Sequence, residues 1–186
     1  MIAAMFIDSD YVTQFTMVDS NVDDSLINKA IISAQSTKVM ELLGSRLYKK
    51  LMDDCPNWTG QYNTLAVEYV KPYLATATVY QLIPYLNYRL TNKSVSQKDS
   101  DYSQPVGLPE IEFLRADLRA DMEFRGQRVI EYIKNNESLF PEYLNQVDTF
   151  AIEPTKRNYY SGIFVGRRNR PAGMPVAPDW RNCCDH

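Results

Sequence analysis

The chain has 186 residues, 45% of them apolar, with 23 acidic and 20 basic side chains for a net charge of −3. That length supports one domain with at most an appendage, and a core that needs no disulfide or metal staple. Three cysteines (Cys55, Cys183 and Cys184) make no disulfide framework and fit a reducing setting.

The opening MIAAMFIDSD has no basic region ahead of its apolar residues, so no secretory leader is expected. Its mixture of short apolar groups and acids suggests an extended piece before the first helix. Asn21, followed by Asp23 and Asp24, predicts a helix start, because a capping side chain and acids in the first turn suit the helix dipole. From there Ile27, Ala30, Ile31, Ala34 and Leu42 fall on one face at helical period. Gly44 ends that helix or bends it. SRLYKKLMDD follows as a short helix with Ser45 as its cap and Leu47 and Leu51 as its apolar pair. CPNWTG is a loop by its proline and glycine.

A long helical region is predicted from about Tyr62 to Leu90, interrupted by Pro72 and Pro84 with one break and one kink. Leu65, Tyr69, Tyr73, Tyr80 and Ile83 share one of its faces, and Val70, Leu74, Val79, Leu82 and Leu86 cover most of the rest. A helix apolar on most sides lies at the centre of a bundle. With Glu68, Lys71, Gln81 and two prolines among residues 62–86, this region predicts no membrane span. TNKSVSQKDSDYSQPVG is polar and long, and reads as a loop that docks or moves.

The last long helix is expected from near Pro109 to about Asn135. Ile111, Leu114, Leu118, Met122, Val129 and Ile133 form one stripe, while Phe113, Ala116, Ala120 and Phe124 form a second on the opposite side. Charges of both signs sit between them. One face suffices for a core, so the second asks for another surface, either a fifth element or a neighbouring copy of the chain, and Phe113, Ala116, Ala120 and Phe124 are the candidate subunit interface. SLFPEYL makes a short capping turn, and helical period ends after Val147.

The remainder is a tail without a core of its own. YYSGIFVGRR reads as a strand or small hairpin. Pro171, Pro175 and Pro178 keep the next stretch extended. After residue 150, Lys156, Arg157, Arg167, Arg168, Arg170 and Arg181 outweigh Glu153, Asp179 and Asp185, a net of +3 that leaves the first 150 residues at −6. An acidic body is a poor general binder of nucleic acid. Aromatic and arginine side chains are the residues that dominate binding hot spots, so Tyr159, Tyr160, Ile163, Phe164, Arg167, Arg168, Arg170 and Trp180 are the candidate contacts of an interaction arm.

Catalytic signals are sparse. The single histidine, His186, is the last residue, and CCDH, which it completes, has the wrong spacing for a closed tetrahedral zinc site. The acids of DSD at 8–10 and the pairs at 23–24 and 53–54 could hold magnesium, but caps and turns place acids at the same points. Tyr62, Tyr69, Tyr73 and Tyr80 could stack bases, although such a stripe more often serves as core with hydroxyls at the rim. With seven glycines there is no phosphate loop or dinucleotide fingerprint. The residues predict no enzyme, no metal and no cofactor.

The acid-capped helix ending in VMELLGSRLYKKLMDD, the buried long helix, the polar loop TNKSVSQKDSDYSQPVG, the charged long helix and NNESLFPEYL together resemble the head–tail connector, or adaptor, proteins of tailed bacteriophages. The likeness is strongest to the neck-ring proteins of crAss-like phages and covers about residues 6–146. It implies an all-α fold: a small bundle of four to five helices over 1–148 with an extended C-terminal arm over 149–186. It implies a structural virion protein, made in the bacterial host cytoplasm. Twelve copies would form a ring under the portal protein, with further neck or tail proteins below. The arm would grip the portal, and DNA would pass through the lumen without sequence-specific binding. Two rival readings stand beside it. One is a nucleic-acid-binding accessory protein that uses the Arg167–Arg170 cluster. The other is an enzyme built on the acids near Asp8 and Asp23.

Overall fold

The structure, a computed structural model, describes residues 4–90, 95–97, 108–144 and 151–155. The fold is all-α, with one short pair of strands at the end of a helix.

Helix α1 (Ser9–Phe15) starts where Asp8 accepts a hydrogen bond from the Tyr11 backbone N–H at 2.8 Å. Asp23 does the same for α2 (Asp24–Ala34), accepting from Ser25 N–H at 2.8 Å. The cap is therefore Asp23 rather than Asn21, which lies in the preceding turn and donates to Asp19. Ile27, Ala30, Ile31, Ala34 and Leu42 are all buried, as their period predicts.

Helix α2 runs through a π turn (Gln35–Val39) into α3 (Met40–Leu43). Gly44 ends it at φ 76°, a backbone conformation that costs a residue with a Cβ about 1 kcal/mol or more. Helix α4 (Ser45–Asp53) starts at once and buries Leu47 and Leu51. Its cap position is Gly44, so Ser45 is not the cap expected from sequence. Its hydroxyl has another partner, described below.

Helix α5 (Gly60–Thr64) continues through a second π turn (Leu65–Val70) into α6 (Lys71–Asn87). No break occurs at Pro72. A proline ring clashes with the carbonyl four residues back in a regular helix. The wider π turn directly ahead of Pro72 relieves that clash. Pro84 sits within the last turns of α6.

The centre of α6 is enclosed on every side: Tyr73, Leu74, Ala75, Thr76, Ala77 and Thr78 are consecutive and all buried. The two buried threonines are satisfied within the helix. Thr78 donates to the Leu74 carbonyl at 2.8 Å and Thr76 to that of Pro72 at 3.2 Å. Helices α2 and α7 (Leu108–Asn135) both pack on α6. A helix of this kind contributes most through burial, about 1.5–3 kcal/mol for each fully covered Leu or Ile.

The chain does not stay helical to Leu90. Strand β1 (Tyr88–Leu90) pairs antiparallel with β2 (Val95–Gln97), with Tyr88 opposite Gln97 and Leu90 opposite Val95. Part of the expected loop is thus a strand, and the rest of it lies outside the described residues. A 3-10 turn (Glu137–Leu139) and α8 (Pro141–Leu144) follow α7 and lodge Phe140 and Tyr143 in the core.

Candidate functional site

Helix α7 turns about 100° per residue, and its sequence sorts into two sides. Ile111, Met122, Val129, Ile130 and Ile133 are buried against the bundle. Leu114, expected in the same stripe, is 50% exposed because its position lies at the edge of that face. Arg115 takes inner space instead, with its guanidinium 4.7 Å from the centre of the Tyr80 ring.

On the outer side Phe113, Ala116, Ala120 and Phe124 are all exposed, the two phenylalanines at 75% and 63%. Their spacing of three, four and four residues makes one narrow strip, about 16 Å between the rings along the axis. Ion pairs fix its flanks: Arg125 meets Asp121 at 2.9 Å and Arg119 meets Glu123 at 3.0 Å. In the single chain this apolar strip faces water.

A second feature is formed where residues 151–155 bind the junction of α3 and α4. Ser45 N–H donates to the Ile152 carbonyl at 3.1 Å, and Ile152 N–H donates to the Ser45 hydroxyl at 2.9 Å. Thr155 donates twice to the Glu41 carbonyl, from its backbone at 3.0 Å and from its hydroxyl at 3.1 Å. Pro154 is buried between these clamps.

The border expected at 148–149 falls outside the described residues, whereas 151–155 are held to the body. Beside Thr155 opens a groove of about 280 Å3 lined by Lys38, Glu41, Tyr73, Tyr80, Arg119 and Glu123 among others. Its charges are paired, Lys38 with Glu41 at 3.6 Å and Arg119 with Glu123. Burial, with the Glu41 carboxylate nearby, pushes the Tyr73 phenol well above its ordinary range.

The candidate arm contacts Tyr159, Tyr160, Ile163, Phe164, Arg167, Arg168, Arg170 and Trp180 lie outside the described residues. The acids considered for magnesium take up other work. Asp8 and Asp23 are caps, and Asp53 and Asp54 pair with Lys49 and Lys50 at 3.1 and 3.0 Å. Among the described residues no three His, Cys, Asp or Glu side chains gather as a metal would need.

The tyrosine stripe is core and rim. Tyr73 is buried, and Tyr69 stacks on Tyr132 with ring centres 4.3 Å apart. Tyr62 donates to Glu142 at 2.8 Å. Burial and that carboxylate push the Tyr62 phenol up to about 12.

Sequence reasoning missed Gln35 and the strap at 151–155. Gln35 is a buried polar residue whose amide accepts from Phe6 N–H and donates to the Ala4 carbonyl, both at 2.8 Å. A lone glutamine inside an apolar period is the only signal that could have marked it.

Against known protein families, residues 39–148 match a family of unknown function, DUF6712. That match spans α4 to α8 with the end of the α2–α3 helix, and so includes the whole outer strip of α7. No curated protein and no solved structure matches the chain.

Proposed function

The chain belongs to the DUF6712 family, whose function is unknown, and we propose that it is a structural virion protein, an adaptor that assembles as a ring between the portal and the tail of a bacteriophage. The observation that carries this reading is the outer strip of α7. Two phenylalanines and two alanines in line, framed by internally paired charges, are a poor surface for water and a good one for a neighbouring subunit.

The strap at 151–155 supports the same reading. It gives the basic C-terminal residues a fixed point of departure, so an arm that grips a partner transmits its hold to the body. In this reading the arginines of the arm meet carboxylates of the portal in fork geometry. The acidic body lets DNA phosphates pass without retention.

Native mass spectrometry of the full chain, alone and mixed with a portal protein, tests the proposal. A ring-sized complex with portal is expected. A chain that stays apart from portal at every ratio would overturn it. Replacing Arg167, Arg168 and Arg170 by glutamine should weaken the attachment and leave DNA mobility unchanged. The opposite pattern would promote the nucleic-acid reading.

A further inference from the structure

We propose that, before any portal is met, the outer strip of α7 is covered by the same strip of a second copy, in an antiparallel two-fold pair. This uses the strip on which the ring reading rests, but it is a separate contact with its own geometry.

The argument is the symmetry of the strip itself. Phe113 and Phe124, Ala116 and Ala120, and Glu110 and Arg128 are each placed evenly about a point between Leu118 and Arg119, to within one residue. All six are exposed. An antiparallel partner turned about that point sets Phe113 beside the partner's Phe124. Ala116 then meets the partner's Ala120, and Glu110 faces the partner's Arg128. Each contact occurs twice, as an isologous interface requires.

The alanines form a waist where two helix axes can approach to about 8 Å, and the four rings close over its two ends. Opposite charges meet at the rim. Arg128, which stands 5.9 Å from the Tyr69 ring, can reach outward to a carboxylate. Like-charge approaches remain on both flanks, Asp117 toward the partner's Asp121 and Glu112 toward the partner's Glu123, and the Arg125 and Arg119 guanidiniums at 2.9 and 3.0 Å already balance Asp121 and Glu123.

Three helical turns bury less than the roughly 1,200 Å2 of a stable interface, so the pair is weak and exchanges readily. Neighbours in a closed ring are related by rotation about its axis and use two different patches. The two-fold pair must therefore open before a ring forms. It shields the phenylalanines in the free protein and leaves assembly to the partner that displaces it.

Sedimentation of the full chain tests this. The wild type should pass from monomer to dimer as concentration rises. Glu110→Arg and Arg128→Glu, both at exposed positions, should each weaken the dimer about tenfold with circular dichroism unchanged. An equimolar mixture of the two variants should restore it, because both rim pairs are again opposite in sign, as should the double variant. Asp117→Asn should tighten it.

Unchanged dimerisation in the single variants would overturn the pair, as would a mixture no better than either alone or a wild type that stays monomeric or forms rings unaided. A dimer that follows these rules but never joins portal would keep the pair and sink the ring, so the two proposals fail separately.

Discussion

Ser45 and Ile152 exchange hydrogen bonds: each backbone N–H donates to the other residue, Ser45 to a carbonyl at 3.1 Å and Ile152 to a hydroxyl at 2.9 Å. Residues 107 positions apart in sequence are thereby joined at the start of α4. The hydroxyl is available for this because Gly44, not Ser45, occupies the cap position.

Ser45→Ala should cost about 0.5–1 kcal/mol, the worth of one exposed hydrogen bond. Its specific mark is faster amide hydrogen exchange at Ile152, with helix content unchanged. Exchange at the wild-type rate would mean that the hydroxyl does not hold the strap. Truncation separates strap from arm. Removing 156–186 should leave the melting temperature as it is and abolish portal attachment, whereas removing 151–186 should abolish attachment and lower the melting temperature as well.

Gln35→Leu should destabilise the fold by about 2 kcal/mol in urea unfolding, because it leaves the Phe6 N–H without its acceptor in the core. The leucine fills the same volume, so lost packing cannot account for such a loss. Stability equal to wild type would show that water or another group replaces the amide.

Ala120→Glu places a carboxylate in the middle of the outer strip. Ala120 is exposed in the single chain, so thermal stability should change by less than about 0.5 kcal/mol. Assembly with portal should fail, because an acid in a dry contact costs several kcal/mol. Intact rings from this variant would remove α7 from the subunit interface.

Stability should decline in alkali, beginning near pH 10. The phenols of Tyr11, Tyr62, Tyr73, Tyr132 and Tyr143 are all raised in the folded chain, chiefly by burial. A raised phenol keeps its proton when folded and loses it when unfolded. Its contribution is therefore fully present below the unfolded value, about 10, and is lost as pH climbs through the folded one, about 12 for Tyr62. Denaturant midpoints should fall between pH 10 and 12. A flat profile there would show that the phenols ionise without unfolding.

The bundle was largely legible because burial follows period. Ile27, Ala30 and Ile31 in α2 and Met122, Val129 and Ile133 in α7 announce their faces, and Phe113 to Phe124 announces the second one. What escaped was decided by single polar groups acting across distance. Nothing in the neighbourhood of Ser45 says that Ile152 will return to it, and nothing near Gln35 names Phe6. The stretch Tyr88–Leu90 escaped for a different reason. It continues an apolar helical pattern, and its strand forms only because Val95–Gln97 lies opposite. Leu114 is apolar yet half-exposed, since a residue at the edge of a stripe is assigned by neighbours rather than by period.

The π turn at Leu65–Val70 makes the length of this helix as consequential as its composition. Shortening the turn by one residue would let an ordinary α-helix run from Gly60 to Asn87. An i→i+5 turn holds one residue more than an i→i+4 turn, so the deletion would take out that extra residue and leave the buried run Tyr73–Thr78 facing much as it does. The ring of Pro72, however, would meet a carbonyl again. A deletion in the turn should therefore be accepted only where Pro72 is replaced, whereas a deletion farther along α6 would turn all that follows by about 100°.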